Sequence, residues 1–503
     1  MTARARGIGS QIAAGVAWMV LMRLAIRMLG FVSTIVLARL LTPADYGVIA
    51  LAMIFVGLLD AFTAFGFDVV LIQDQEAPPE KYHCVWTLTV IRGVTLAAVT
   101  FLAAPLCADF FAEPALSRVL QLLALATLVG AFENTATVDF RKNLQFDREF
   151  RLMVYPKVIG FVVTVALAVA WRDYWALAVG MVVTRLIAVI TGYVMRPYRP
   201  VPCLEHWAEI FRFSKWLMAN SILRYGYNNS ESMVLGKLMG SAAVGAYAIA
   251  NEIAMMVSSE LVAPIQRAIL PGYAKLARSE NGLRDAYLAV LGVTNVVGLP
   301  VSAGIALTAD LFVPLLLGDK WAQTIPLIQI LSVAVVLRLG LANSGTVYVV
   351  SGKPWLTTLL SVISLAGGIP LIIWGVMSAG AVGAAVGATG MIGLFAACNA
   401  YVISRLLALE RGAILAAIIR PLLASVAMVI AVVAARDAIV FAGLGVSAAL
   451  LAELVCTIVI GAGVYAGTLL ALWHARGYPA GAESRLLGLL RERLPARFAR
   501  IGM

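Results

Sequence analysis

The chain has 503 residues and a formal net charge of +11; 62% of the residues are hydrophobic and 13% are charged. The mean hydropathy is +0.93. A soluble domain is roughly half apolar and a quarter charged, so two or three soluble cores could not bury this much apolar surface. The composition excludes a soluble protein and predicts an all-α polytopic membrane protein, in which each backbone group pairs within its own segment.

The apolar runs predict about fourteen transmembrane helices, since one span needs about 20 mostly apolar residues. The first run contains Arg23 and Arg27 and has no small-residue cleavage site, which indicates an uncleaved span and not a signal peptide. One long run divides into two spans at a turn of only Ser378, Ala379 and Gly380. The predicted spans are 11–38, 44–72, 83–106, 116–138, 154–171, 174–195, 213–236, 242–270, 286–308, 325–350, 356–376, 379–404, 413–434 and 442–473.

Lysine and arginine are unevenly distributed between the two sides of this arrangement. The termini and every second connection, together with the adjoining ends of the spans, hold 26 of the 38; the opposite side holds six, and six lie deep within spans. This asymmetry predicts that both termini are cytoplasmic. The basic loops face anionic lipid, so the net charge requires no nucleic-acid partner. The leucine- and arginine-rich tail, 476–503, predicts an amphipathic surface helix, with a partner-binding tail as the alternative.

One short segment occurs twice. LARLLTPADYGVIALA at 37–52 matches LGKLMGSAAVGAYAIA at 235–250 with a constant offset of 198 residues, and Gly47 aligns with Gly245. Six predicted spans separate the copies, and an even number indicates parallel repeats related by an axis along the membrane normal. The predicted organisation is an N-terminal six-helix lobe (1–200), a C-terminal six-helix lobe (201–405), two additional transmembrane helices (406–475) and the tail (476–503).

The repeated segments resemble a known family. LARLLTPADYGVIALAMIF (37–55), FGFDVVLIQ (65–73) and FSKWLMANSILRYGYNNSESMVLGKLMGSAAVGAYAIA (213–250) are similar to the polysaccharide-biosynthesis flippases of the multidrug/oligosaccharidyl-lipid/polysaccharide (MOP) exporter superfamily. The resemblance covers most of residues 10–405 and is greatest to exporters of O-antigen, capsule and exopolysaccharide.

This resemblance implies a function, a location and partners. The substrate would be an undecaprenyl-diphosphate-linked oligosaccharide, moved by alternating access from the cytoplasmic to the periplasmic leaflet of the bacterial inner membrane. A polysaccharide polymerase and the export machinery are further expected partners.

Six arginines lie deep within the predicted spans, where each charge costs about 2.5–3.5 kcal/mol on insertion scales and is read as functional. A guanidinium binds phosphate oxygens in pairs and stays charged when desolvated, which suits a diphosphate. The hypothesis is that these arginines line a central cationic cleft: Arg23, Arg27, Arg92, Arg185, Arg224 and Arg338. The alternative is that they neutralise intramembrane carboxylates, namely Asp60, Glu133, Glu231, Glu252, Glu260 and Glu453.

Two further roles are assigned to polar residues within spans. The sequence RYGYNN at 224–229 places Tyr225, Tyr227 and Asn228 where they could stack on or hydrogen-bond to a sugar, with helix–helix contacts as an equal alternative. The motif GxxxxGK[ST] does not occur, so no nucleotide cofactor is expected; an ion gradient, the membrane potential or the substrate concentration would supply the energy. Candidate ion-coupling carboxylates are Asp60, Glu231 and Glu252, with a salt-bridge role as the alternative for each.

Other functions fit the sequence less well. A membrane polymerase or ligase would expose a large periplasmic loop with catalytic residues, whereas the predicted periplasmic connections are short. A multidrug extruder of the same superfamily is the main alternative, but an arginine-rich cleft would repel organic cations. A structural partner in an export complex leaves the intramembrane arginines unexplained. The prediction is therefore a transporter and not an enzyme.

Overall fold

The computed structural model describes residues 2–63, 67–74, 76–205, 207–258, 273, 282–340, 343–410, 412–436 and 446–475. Within these ranges all regular secondary structure is helical. Eleven segments of the described chain are long and apolar enough to cross a membrane, which confirms the all-α polytopic class. The chain forms two compact units, Met1–Ala246 and Tyr247–Met503, and each is described by itself.

Three helices of the first unit begin with a proline, which is suited to the first helical turn because its missing N–H has no partner there. The helices are α1 (Thr2–Leu40), α2 (Pro43–Phe62), α3 (Phe67–Gln73), α4 (Pro79–Phe111), α5 (Pro114–Ala131), a 3₁₀ turn (Thr135–Val138), α6 (Asp139–Lys142), α7 (Phe146–Trp171), α8 (Trp175–Met195) and α9 (Trp207–Met239). The following helix, α10 (Ser241–Val257), contains the boundary between the units.

The second unit continues with long apolar helices. They are α11 (Gly282–Phe312), a π-helix (Val313–Leu317), a 3₁₀ turn (Asp319–Trp321), α12 (Thr324–Leu339), α13 (Ser344–Val350), α14 (Trp355–Leu406), α15 (Ala413–Arg436) and α16 (Val446–Ala475). The last two helices pack against each other and against α11. Arg436 joins them to α11 through ion pairs of 2.5 Å to Asp310 and 3.0 Å to Glu453.

The turn predicted inside the long run at 356–404 is confirmed. In α14, Ala379 and Gly380 leave the helical conformation, with φ/ψ of −142°/23° and 58°/−133°, so the segment is two helices. The two helices approach so closely that a Cβ on Gly383 would lie 1.8 Å from the backbone oxygen of Gly375. The positive φ at Gly380 favours glycine, and the close approach requires that Gly375 and Gly383 carry no Cβ.

Several predicted spans have different boundaries in the structure. Span 44–72 is divided between α2 and α3, and span 325–350 between α12 and α13, where Asn343 adopts a φ of +79°. Span 116–138 ends as a helix at Ala131, because Asn134 turns the chain by donating to the Gly192 and Arg196 carbonyl oxygens. Glu133 therefore follows a helix and does not lie within one. The tail 476–503 and the end of span 242–270, with Glu260, lie outside the described residues.

The two copies of the repeated segment contact each other at the starts of α2 and α10. A Cβ on Gly47 would lie 1.7 Å from the Ser241 oxygen, and one on Gly245 would lie 1.9 Å from the Pro43 oxygen. Adding 198 to Gly47 and Pro43 gives Gly245 and Ser241, so the contact is reciprocal, as a two-fold relation between the copies requires.

The two copies form their turns by different local chemistry. The first begins with a capping box, in which the Thr42 hydroxyl accepts from the Asp45 N–H and the Asp45 side chain accepts from the Thr42 N–H. This arrangement satisfies two of the unpaired donors at the helix start. The second copy instead uses Gly240, with a φ of +79°, to end α9 before α10 begins.

Candidate functional site

Helix α2 packs tightly on α9 through small residues. A Cβ on Gly236 would lie 2.5 Å from the Leu51 side chain, and one on Gly57 would lie 2.7 Å from the Tyr225 hydroxyl. That hydroxyl donates a hydrogen bond of 2.7 Å to the Ile54 carbonyl oxygen. Tyr225 is thus fixed against α2 one turn before Asp60.

Asp60 is bound to an arginine of α4. The guanidinium of Arg92 lies 2.9 Å from an Asp60 carboxylate oxygen, and its Nε donates over 2.9 Å to the Thr63 hydroxyl. The side chains of Arg92 and Asp60 are 28% and 49% exposed, so the pair remains accessible. Two residues with separate predicted roles, diphosphate binding and ion coupling, therefore form one unit.

Contacts through α5 connect Arg92 with Arg185. The neighbour of Arg92, Gly93, packs on Ala131, where a Cβ would lie 2.3 Å from the alanine methyl group. The residue before that alanine, Gly130, faces Arg185 of α8, with the Arg185 Cδ 3.7 Å from the position of a Cβ. Arg92 and Arg185 therefore lie at the level of the C-terminal end of α5.

The register of α1 on α7 places Arg27 at the same level, that of the C-terminal end of α5. Phe146 contacts Gly15, and Ala168 packs in one cluster with Leu37, so the two helices run in parallel with an offset of 131 residues. Position 27 on α1 is thus level with residues 158–160 on α7. Gly160 contacts Thr184, the neighbour of Arg185, and so Arg27 lies at the level of Arg185.

These contacts define a charged layer in the first unit. Its members are Arg27, Asp60, Arg92, Arg185, Arg224 and Tyr225, carried by α1, α2, α4, α8 and α9. It contains four guanidinium groups and one carboxylate, with Glu133 just beyond the end of α5. Arg185 is ten residues from each end of α8, or about 15 Å, so it lies at the middle of that apolar span, while the layer meets α2 and α5 near their C-terminal ends.

Exposure differs between the arginines of the charged layer. Arg185 and Arg224 are exposed, and no ion pair joins either of them to another described residue. Arg27 is half-buried and engaged in interactions within the chain. The two exposed guanidinium groups are therefore the most accessible anion-binding groups of the charged layer.

The remaining predicted residues lie elsewhere. Arg23 is one turn before Arg27 on α1 and is also half-buried. On α9, Tyr227 is half-buried, Asn228 is exposed and Glu231 is buried, with the Ser230 hydroxyl 3.3 Å from the Glu231 carboxylate.

Two predicted residues lie in the second unit. Glu252 is exposed on α10. Arg338 is half-buried on α12, with its guanidinium 3.6 Å from the Met255 sulfur.

Some residues that position the charged layer have weak sequence signals. Thr63 binds Arg92, and its one signal is its place three residues after Asp60. Gly93 and Gly130 allow α4 and α8 to approach α5. A glycine within an apolar run indicates close packing in general, but it does not identify the helix that packs there.

Polar residues outside the spans show shifted ionisation. Lys81, 2.8 Å away, holds the pKa of the Asp74 carboxyl below its usual value. Burial raises the pKa of Tyr198 to about 12, and its hydroxyl lies 2.7 Å from Nδ1 of His83. The backbone N–H of Val201 donates to the same nitrogen over 3.3 Å. These bonds fasten the segment after α8 to the start of α4.

Comparisons with known proteins agree with this architecture. The profile of a family described as "Polysaccharide biosynthesis protein" matches residues 36–326. The lipopolysaccharide biosynthesis protein WzxC of Escherichia coli (strain K12) is 27% identical over 377 residues, covering 74% of this chain and 77% of the relative. The succinoglycan biosynthesis transport protein ExoT of Rhizobium meliloti (strain 1021) is 23% identical, with coverage of 63% and 65%.

Solved structures share the fold. The lipid II flippase MurJ, in an inward closed conformation, aligns with a TM-score of 0.73 over 91% of this chain and 99% of its own, at 11% identity. An inward-facing multidrug resistance MATE family transporter of the MOP superfamily aligns with a TM-score of 0.61 over 76% and 94%, at 16% identity. At these identities the likeness shows the fold alone.

Proposed function

Because the chain belongs to the polysaccharide biosynthesis protein family, we propose that it is a flippase for lipid-linked oligosaccharides. Its substrate is an undecaprenyl-diphosphate-linked polysaccharide repeat unit, which it moves from the cytoplasmic to the periplasmic leaflet of a bacterial inner membrane. Both termini are cytoplasmic, and the lobes 1–200 and 201–405 provide alternating access. Lipid-linked material supplied by glycosyltransferases enters, and a periplasmic polymerase receives the product.

The charged layer is the observation that supports this proposal. Charges at this depth cost about 2.5–3.5 kcal/mol each on insertion scales, so the exposed Arg185 and Arg224, which form no ion pair with another described residue, are costly unless they bind an anion. A diphosphate offers several oxygens to planar guanidinium groups, and its lipid tail stays in the bilayer. The chemistry of the layer therefore matches the headgroup of the proposed substrate better than it matches an organic cation.

Arg185 and Arg224 receive the diphosphate first in this mechanism, because both are exposed and lack an ion-pair partner among the described residues. Arg92 joins them only by exchanging Asp60 for a phosphate oxygen. Since Asp60 is half-exposed, the exchange requires little rearrangement. Tyr225, Tyr227 and Asn228 follow Arg224 on α9 and contact the first sugar.

The exchange at Arg92 also provides a coupling step. When the diphosphate occupies Arg92, the Asp60 carboxylate loses its counter-ion at bilayer depth. An unpaired charge there is strongly unfavourable, and taking up a proton removes it. The proton is taken from the periplasm after the loaded chain opens outward. It is released to the cytoplasm once the substrate has left and the empty chain has opened inward, where Arg92 recovers Asp60. Inward proton movement then drives outward export. Glu231 and Glu252 are further proton carriers in this proposal.

The proposal is tested by deleting the gene and measuring lipid-linked oligosaccharide in each leaflet. We expect accumulation on the cytoplasmic side, reversed by the wild-type chain. Arg185→Gln with Arg224→Gln removes two charge-assisted contacts of about 1.5–3 kcal/mol each and should lower export at least tenfold. Arg405→Gln, an exposed arginine at the end of α14, is the control and should export normally.

Two results would contradict the flippase. One is normal export by the Arg185 and Arg224 double variant, which would remove the charged layer from the transport path. The other is a deletion strain that becomes sensitive to cationic drugs and accumulates no lipid-linked oligosaccharide, since this is the result expected of a multidrug extruder.

A further inference from the structure

A small cavity lies at the turn between α7 and α8, away from the charged layer. Its volume is about 300 Å³, and it is lined by Trp171, Asp173, Trp175 and Val179. This is the lower end of the volume range of ligand pockets. Trp171 is the last residue of α7 and Trp175 the first of α8, so the turn brings the two tryptophans and Asp173 to one cavity.

The backbone fixes this arrangement. Arg172 adopts a φ of +53° and ends α7 through a 3.0 Å bond from its N–H to the Ala168 oxygen. The Asp173 carbonyl oxygen accepts the N–H of Ala176 and begins α8. The ring of Tyr174 lies 5.5 Å from that of Trp175 at an interplanar angle of 32° and packs beside this indole. Two backbone hydrogen bonds and one aromatic contact therefore define the three-residue turn.

The cavity is lined mainly by apolar surface, and Asp173 is its one charged lining residue among the residues that the structure describes. Trp171 is 52% exposed, so one indole has a face open to solvent or to a ligand. Burial, and after it the neighbouring charge of Asp173, raises the pKa of Tyr174 in the same turn. Flat apolar surfaces beside hydrogen-bonding groups are suited to a sugar ring, whose C–H faces stack on aromatic rings while its hydroxyls bind carboxylates.

The cavity is on the side opposite to the basic loops. The α7 helix begins near Arg148 and Arg151, and α8 ends before Arg196 and Arg199, whereas the turn 172–174 joins the other ends of both helices. In the proposed orientation this end faces the periplasm. A sugar reaching the cavity would therefore have completed its passage.

We infer that the cavity between Trp171 and Trp175 binds one sugar ring of the translocated oligosaccharide on the periplasmic side, with Asp173 accepting its hydroxyl hydrogens. This inference rests on the proposed function. The site holds the released repeat unit near the exit and disfavours its return. The alternative for these tryptophans is a membrane-interface anchor, which is common for this residue type.

The test uses oligosaccharide released by mild acid from the lipid-linked material that the deletion strain accumulates. Binding of this probe to the full chain in nanodiscs is measured by calorimetry. We expect at least tenfold weaker binding for Trp171→Ala with Trp175→Ala, and likewise for Asp173→Ala. Trp374→Ala, which removes a tryptophan that is 68% exposed elsewhere, should bind as the wild type does.

Aromatic replacement separates a sugar site from an anchor and guards against a folding defect. Trp171→Phe with Trp175→Phe keeps the ring faces and should bind within threefold of the wild type. Equal binding by the wild type and the double alanine variant would overturn the inference while the accumulation still supported a flippase. A deletion strain without lipid-linked material would overturn the proposed function and the inference together.

Discussion

The contact between the two repeat copies allows a quantitative prediction. Replacing Gly47 with alanine places a methyl carbon 1.7 Å from the Ser241 oxygen, where an ordinary contact needs 3.4 Å. The atoms to be displaced are backbone, so the starts of α2 and α10 must separate by about 1.7 Å. Overpacking of this kind costs about 1–3 kcal/mol, and we expect the upper part of this range because no side chain can rotate away.

Alanine also has a higher helix propensity than glycine, by about 1 kcal/mol, and this gain must be measured separately. Gly30→Ala provides the control, because Gly30 lies inside α1 with nothing within 4 Å of an added Cβ. Equilibrium unfolding in mixed micelles of increasing SDS fraction, followed by tryptophan fluorescence, should show a loss of about 2 kcal/mol for Gly47→Ala. The same assay should show a small gain for Gly30→Ala.

A double variant tests whether the contact is reciprocal. Gly245→Ala should cost about as much as Gly47→Ala, since its Cβ would lie 1.9 Å from the Pro43 oxygen. Once one methyl group has separated the helices, the second has less to displace. The combined loss should therefore be smaller than the sum by about 1 kcal/mol. Full additivity, or a Gly47 variant as stable as the control, would refute the packing argument.

Three further results are expected. Lys81 holds the pKa of Asp74 below the usual 3.8, so its stabilisation is fully present above that pH and is lost as the pH falls through the lowered pKa. Asp74→Asn should therefore lower the melting temperature more at pH 7 than at pH 3. Gly380→Ala should cost about 1–3 kcal/mol in the unfolding assay, because its φ of +58° is strained for alanine, while Gly390→Ala in regular helix should be nearly neutral. Arg436→Gln leaves two carboxylates, one of α11 and one of α16, without their cation. The free energy of unfolding should fall by about 1–3 kcal/mol at pH 7, less than for a fully buried ion pair because these side chains are partly exposed. An unchanged free energy of unfolding would mean that these ion pairs do not hold the last two helices.

The sequence by itself determined that the protein spans a lipid bilayer, that it is helical, and where several local features lie. A composition of 62% hydrophobic residues in long runs has one physical solution, spans whose backbone pairs internally. The turn at Ala379 and Gly380 was predictable because small residues interrupt an apolar run too long for one span. The repeat with its offset of 198 residues was also evident, because matching residue types are visible without knowledge of their neighbours.

The tertiary structure alone decided which charges meet. Asp60 and Arg92 are 32 residues apart and belong to different helices, so no spacing rule links them, and the sequence assigned them separate roles. Helical periodicity determines which residues share a face of one helix, as for Arg23 and Arg27, but not which helix packs there or at what height. Those two quantities depend on the close contacts of Gly57, Gly93 and Gly130, because small residues let backbones approach and thereby set the level at which neighbouring side chains lie.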